Sequence, residues 1–272
     1  MLDIVKSVIL GIIEGITEWL PISSTGHLIV ADEFVKLNMS KDFMDMFNVV
    51  IQLGAILAVV VIYFKKLWPF TLNKEEKFIK KETFSMWFKV VVAILPAAVI
   101  GIPLDDFFEE KLHNYIVVAI ALIVYGIAFI FIEKRNKTLK PKVESIAAIT
   151  YRDALIIGCF QALSLIPGTS RSGSTILGAI LIGVSRVAAA EFSFYMAVPV
   201  MFGASAIKLL KFGFNFTSTE MIILLVGMVT AFVVSVIAIK FLISYIKKRD
   251  FTAFGYYRIV LGVIVLLYFV LK

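Results

Sequence analysis

Two glutamates stand four residues apart, Glu14 and Glu18, in an otherwise apolar run, G-I-I-E-G-I-T-E-W-L-P-I-S-S-T-G-H-L from Gly11 to Leu28. At i and i+4 they share one helix face, and like charges so placed repel. In a bilayer each would cost about 2.5–3.5 kcal/mol even on the lenient insertion scale. The pair therefore calls for something positive. Either it shares a hard cation such as Mg²⁺, with Ca²⁺ also suited to oxygen ligands, or one carboxyl holds a proton. Past Pro21 come Ser23, Ser24, Thr25, Gly26 and His27. Ser24 and His27, three apart, can face the same way. The imidazole could then take the hydroxyl proton for attack on phosphorus, or His27 could attack directly. The free N–H groups of the helix restarting here favour an anion, and Ser23 and Thr25 suit either that anion or a plain helix cap.

A second constellation lies far along the chain: P-G-T-S-R-S-G-S-T, Pro167 to Thr175. Arg171 is the lone charge of a long apolar stretch, flanked by Ser170, Ser172, Ser174 and Thr175. A guanidinium fork with hydroxyls at a helix start is a phosphate cradle. A simple ion pair of Arg171 with Glu14 or Glu18 is the competing reading.

The chain that must position these groups is a membrane chain. Of its 272 residues 60% are hydrophobic and 17% charged, and mean hydropathy is +0.96. The apolar runs are too long for the strands of a transmembrane barrel. The formal charge of +7 reads as loops facing anionic lipid, not as nucleic-acid binding. One cysteine, Cys159, excludes an intramolecular disulfide or a thiolate metal site. Asp3, Glu14 and Glu18 spoil the N-terminus as a signal peptide.

Six full spans are expected: Phe43–Phe64, Met86–Leu104, Tyr115–Ile132, Ala188–Leu210, Met221–Tyr245 and Phe254–Leu271. Two more apolar stretches, 4–30 and 154–184, break midway at Pro followed by Ser, Thr and Gly. Exposed backbone at such a break cannot face lipid, so each reads as a re-entrant helical hairpin. Connections carry Lys65, Lys66, Lys74, Lys77, Lys80 and Lys81; then Asp105, Asp106, Glu109, Glu110 and Lys111; then Lys134, Arg135, Lys137, Lys140 and Lys142; then Lys247, Lys248 and Arg249. With the basic ones cytoplasmic, both termini lie outside. Trp68, Trp87, Tyr115, Tyr256 and Tyr257 sit near span ends, as interfacial aromatics do.

The halves repeat. S-V-I-L-G-I-I-E-G from Ser7 matches A-L-I-I-G-C-F-Q-A from Ala154, and Gly54-Ala55 matches Gly203-Ala204. One hairpin plus three spans is an odd number of crossings, so the repeat is inverted and the two tips meet near the midplane. The expected fold is one all-α membrane domain over 1–272, with repeats 1–135 and 150–272. Gln161 stands where Glu14 does, and nothing in the second half matches Glu18 or His27. His113 reads as solvated. Asn48, Gln52, Glu191, Ser193 and Tyr195 read as supports of the site or bridges between helices.

At these residues the chain resembles the undecaprenyl-diphosphatase family of bacteria. The matching pieces are E-G-I-T-E-W-L-P-I-S-S-T-G-H from Glu14 and P-G-T-S-R-S-G-S-T from Pro167, supported by V-V-I-Q-L-G-A-I-L-A-V-V-V from Val49, G-V-S-R from Gly183 and E-F-S-F from Glu191. The resemblance implies removal of the terminal phosphate of a C55 polyprenyl diphosphate at the outer face of the plasma membrane. That reaction recycles the lipid carrier for peptidoglycan and is linked to bacitracin resistance. It also implies a divalent metal. Glu14 and Glu18 would be metal or acid/base residues, Ser24 and His27 nucleophile or base, and Arg171 the phosphate ligand, with Ser23, Thr25, Ser170, Ser172 and Thr175 beside it. The implied partners are the lipid substrate and bilayer lipids, and a homodimer is left open. The rival class is a transporter, a flippase of polyprenyl phosphate using the same anion site.

Overall fold

The computed structural model describes residues 2–71, 78–112, 114–213 and 215–272. Lys74, Lys77 and His113 lie outside the described residues, as do the side chains of Asp105, Asp106 and Glu109. The described chain is helical throughout: α1 (Leu2–Thr17), α2 (Ser24–Asp32), α3 (Lys41–Ile62), α4 (Phe64–Leu67), α5 (Lys81–Phe107), α6 (Tyr115–Asn136), α7 (Tyr151–Ala162), α8 (Arg171–Leu181), α9 (Arg186–Phe212), α10 (Ser218–Ile246) and α11 (Thr252–Leu271). No strand forms among the described residues, only two isolated bridges.

Six of these helices are long and apolar enough to cross a membrane: Lys41–Ile62, Lys81–Leu104, Tyr115–Asn136, Arg186–Phe212, Ser218–Ile246 and Thr252–Leu271. They match the expected spans to within a few residues at each end. Their starts are set by side chains that satisfy the first free N–H groups. Ser40 accepts from Phe43 N, Asn114 from Val117 N and Ser185 from Ala188 N, while Thr217 and Glu220 form a reciprocal capping box. Outward faces remain apolar, with Val99, Ile102, Phe131, Leu210 and Ile237 all exposed. Such continuous apolar surface suits lipid and not water.

The two interrupted stretches give four short helices. α1 ends at Thr17 and the chain is irregular until α2 starts at Ser24; α7 runs into a 3₁₀ turn, Leu163–Leu165, and α8 starts at Arg171. At about 1.5 Å per residue the longest of these, α1, reaches about 24 Å, short of a hydrocarbon core of about 30 Å.

Packing is close where glycines remove a side chain from a helix face. α1 lies along α10, where a Cβ on Gly11 would fall 2.7 Å from the Gly227 carbonyl oxygen. α7 lies along α5, where a Cβ on Gly158 would fall 2.3 Å from the Ala93 oxygen. α6 and α11 meet through Gly126 and Gly255, each approaching the other's carbonyl. α3 packs between α9 and α10. The main core gathers Trp19, Phe129, Phe192, Phe194, Tyr195 and Phe251. One buried carboxylate, Glu133 on α6, pairs with Arg186 at the start of α9 and accepts from Phe251 N at 3.1 Å, just before α11. That knot fixes three helix ends at one face of the molecule.

Candidate active site

The two breaks meet. Ser172, in the first turn of α8, donates through its hydroxyl to the Glu18 carbonyl at 3.0 Å, so the second break holds the backbone of the first. Both breaks use the same local device. Among the described residues, Ser23 (φ 73°) and Ser170 (φ 69°) are the two non-glycine residues with left-handed φ. Each caps the helix that follows, Ser23 accepting from Gly26 N and Ser170 from Gly173 N, both at 3.2 Å. A backbone of this kind costs on the order of 1–3 kcal/mol and persists only where its surroundings enforce it.

Arg171 lies against Glu18. Glu18 Oε1 accepts from Arg171 Nη2 at 2.9 Å and from Nε at 3.3 Å, and Glu18 Oε2 accepts from the Ser24 hydroxyl at 3.3 Å. The ion pair is largely enclosed, with the side chains 12% and 8% exposed. The remaining fork of Arg171, Nη1, donates to the Ser193 carbonyl at 2.8 Å. The Ser193 hydroxyl in turn contacts Thr175 Oγ1 at 2.7 Å. Trp19, fully buried, lies under the guanidinium at 5.9 Å and takes Phe194 on its other side, edge to face at 5.2 Å. Arg171 is thus held by a carboxylate, a carbonyl and a ring.

The histidine is placed differently from the sequence reading. His27 does not reach Ser24. Its Nδ1 donates to the Ser23 carbonyl at 2.7 Å, one turn back along α2. The tautomer is thereby fixed, and the basic Nε2 accepts from the Tyr257 hydroxyl on α11 at 2.7 Å. The base in contact with Ser24 is Glu18. Three of the hydroxyls considered for phosphate face the protein instead: Ser23 is a cap, Ser172 holds the Glu18 carbonyl, and Thr175 bonds to Ser193 and the Arg171 carbonyl. Ser170 contacts Ser172 at 3.1 Å. Thr25 and Ser24 are half-buried.

Glu14 is fully buried, and both of its carboxylate oxygens lack a hydrogen-bond partner. The charges that act on it are those of Glu18 and Arg171. Two carboxylates facing one another have no hydrogen between them unless a proton or a cation supplies the bond. Among the described residues no group of three or more His, Cys, Asp and Glu side chains gathers to hold a metal. A pair of carboxylates, of which Glu14 has both oxygens unpartnered, still suits Mg²⁺, which is commonly held by one or two carboxylates and completed by substrate phosphate and water. Gln161, at the end of α7, is likewise buried with its Oε1 unpartnered.

Two side chains at the site escaped the sequence reading. Tyr257 was read as an interfacial aromatic, yet it holds His27. Arg258 was read as part of a span, yet it is fully buried beneath both breaks, donating to the Pro21, Gly168 and Thr169 carbonyls. The signal that singled out Arg171, a lone charge in an apolar run, applies equally to Arg258.

Comparison with known proteins agrees over nearly the whole length. The family model described as Bacitracin resistance protein BacA matches residues 7–264. The undecaprenyl-diphosphatase of Acetivibrio thermocellus is 62% identical over 269 residues, covering 99% of this chain and 98% of that protein. That of Enterococcus faecalis is 62% identical over 267 residues, covering 98% and 97%. Undecaprenyl-diphosphatase 1 of Clostridioides difficile is 60% identical over 271 residues, covering 100% and 98%. With a family match over residues 7–264 and near-complete coverage of these relatives, this chain belongs to the bacitracin resistance protein BacA family.

Proposed function

We propose that the chain is an integral membrane phosphohydrolase that converts undecaprenyl diphosphate and water to undecaprenyl phosphate and inorganic phosphate. The observation that carries this reading is the single contact at which Glu18 of the first break holds both Arg171 of the second and the hydroxyl of Ser24. In the reaction Arg171 turns from Glu18 to the terminal phosphate, and its fork gathers the charge that spreads over the equatorial oxygens. Ser24 Oγ attacks phosphorus as its proton passes to Glu18, and undecaprenyl phosphate leaves. Water then cleaves the phosphoserine and inorganic phosphate leaves, the water proton passing to His27 Nε2, which gives up its hydrogen bond from Tyr257 and then releases that proton to solvent. Glu18 returns its own proton to Ser24. Glu14 and Glu18 would hold a divalent cation, which when bound draws electron density from the phosphoryl oxygens. A flippase would need the anion site alone, and the Ser24–Glu18 hydrogen bond gives it nothing.

The architecture that suits this chemistry is an inverted repeat, 1–135 and 150–272, with re-entrant hairpins at 4–30 and 154–184. Several observations support it. In one constant register Gly11 pairs with Gly158, Glu14 with Gln161, Ser23 with Ser170 and Ser24 with Arg171. Helix contacts exchange under that register: α1 on α10 corresponds to α7 on α5, while α3–α9 and α6–α11 map onto themselves. The side chain of Phe160 on α7 fills the place of a Cβ on Gly178 of α8, so α8 folds back on α7. The loop charges suit a site open to the outer face of the plasma membrane, with both termini outside.

Purified protein in detergent, with no second compartment, is expected to release phosphate from polyprenyl diphosphate and to stop when chelator is added. Rapid quenching is expected to trap phosphate on Ser24. Direct transfer of labelled water oxygen with no phosphoenzyme would overturn the serine route.

A further inference from the structure

The mechanism above leaves one buried charge unused. Arg258, on α11, is 0% exposed, and among the described residues no carboxylate pairs with it. Its fork goes to backbone: Nη1 to the Pro21 oxygen at 3.1 Å, Nη2 to the Gly168 oxygen at 2.8 Å and the Thr169 oxygen at 2.9 Å. Its plane lies 5.4 Å from the ring of Tyr125 on α6, and its Nε has no partner. An enclosed cation without an anion is costly, and these carbonyls, with the Tyr125 ring, offset it.

The carbonyls are not arbitrary. Pro21 and Gly168 occupy equivalent places in the two halves, each two residues before a left-handed serine. Arg258 therefore ties together the same point of both breaks. A planar fork with donors on separate nitrogens can span two chains in fixed geometry; an ammonium cannot. Gly173 belongs to the same arrangement, since a Cβ there would lie 2.9 Å from Arg258 Nη1.

We infer that Arg258 is a positioning residue, a pin that sets the two breaks in register and so brings Arg171 to Glu18 and Ser24. The inference rests on the phosphohydrolase reading for its kinetic consequence but not for its structural one. On this reading Arg258 acts on the breaks, through the carbonyls its fork engages, and not on substrate. Its loss should lower kcat and leave KM nearly unchanged, because the groups that act together in the transition state become misplaced.

The test is Arg258→Lys, which keeps the charge and loses the fork, in a background where Trp68 and Trp87 are Phe and Trp19 reports alone. Turnover of polyprenyl diphosphate and acrylamide quenching of Trp19 are measured on monodisperse protein in detergent. The expected result is kcat down about 100-fold, the scale of a misplacement of about 1 Å, KM within threefold, and Trp19, buried in the parent, several-fold more accessible. Gly173→Ala, which displaces the guanidinium without removing it, should act in the same direction and serves if the lysine variant does not fold. A kcat within threefold of the parent overturns the inference. So does a raised KM at unchanged kcat, which would make Arg258 a direct phosphate ligand. If the parent itself releases no phosphate, the phosphohydrolase reading fails, and Trp19 quenching alone decides whether the pin exists.

Discussion

Glu18→Gln separates an ion pair that serves catalysis from one that only holds the fold. Glutamine keeps the shape. Its oxygen can accept from Arg171, and its amide can donate to Ser24, so the hydrogen bonds survive and only the charge is lost. Opposite charges 2.9 Å apart attract by about 6 kcal/mol at an effective dielectric of about 20. Desolvation of both groups offsets much of this, and removing one partner of a buried pair costs about 3–5 kcal/mol. With the hydrogen bonds kept, the lower end, about 3 kcal/mol, is expected as a loss of stability. A similar loss in the transition state is about 100-fold in kcat/KM. The distinguishing measurement is thermal unfolding in detergent with chelator present, with and without a non-hydrolysable diphosphate analogue. In the parent the analogue must displace Glu18 from Arg171. In Glu18→Gln the guanidinium is held only by a neutral amide oxygen and yields more readily, so analogue at about 100 times the variant's Kd returns about 2.7 kcal/mol, nearly the whole deficit, while the same concentration returns less to the parent. The analogue should therefore raise the melting temperature more in the variant than in the parent. If it does not, or if kcat/KM stays within threefold, Arg171 is not the phosphate ligand and the pair is structural.

Glu14→Gln should raise the concentration of Mg²⁺ needed for half-maximal activity at least tenfold with little change in melting temperature; an unmoved metal curve would assign the vacant carboxylate a proton instead. Tyr257→Phe removes the partner of His27 Nε2 and should lower kcat by roughly three- to tenfold, about one hydrogen bond's contribution, with phosphoenzyme accumulating because the second step slows; unchanged phosphoenzyme would remove His27 from that step. Gly158→Val would drive a side chain into the Ala93 carbonyl, which a Cβ would already approach to 2.3 Å, and should lower the melting temperature by several degrees or block folding, whereas Gly203→Val, with nothing within 4 Å of its Cβ position, should leave it unchanged.

The parts of this site legible in the sequence are those that lipid makes costly. Glu14, Glu18 and Arg171 stand out because an ionisable group in an apolar run demands a partner. The breaks stand out because proline and glycine interrupt helices that the bilayer would otherwise keep whole. The pairings were less legible. That Ser24 bonds to Glu18 and not to His27 turns on His27 being taken by the Ser23 carbonyl and the Tyr257 hydroxyl, neither of which residue spacing reveals. Ser193 holds Arg171 through its backbone carbonyl, a group every residue carries. Tyr257 sits near a helix end, where an aromatic needs no special reason. Arg258 satisfied the rule used for Arg171 but lacked the neighbouring hydroxyls and proline that made the other arginine look chemical.

The two left-handed serines show why so much of the surrounding structure is given to holding these breaks. Glycine would adopt that φ without strain, yet it has no hydroxyl to take the Gly26 or Gly173 N–H. A serine there trades roughly 1–3 kcal/mol of backbone strain for a cap worth about 1 kcal/mol, a local balance near zero or below. The conformation must then be enforced from outside, by Ser172 on the Glu18 carbonyl, Arg258 on the Pro21, Gly168 and Thr169 carbonyls, and Ser193 on Arg171. Each runs from one half of the chain to the other or from a flanking helix to a break. A site assembled from two such segments cannot form within either half, so the groups proposed for the chemistry come together only when the whole bundle has closed.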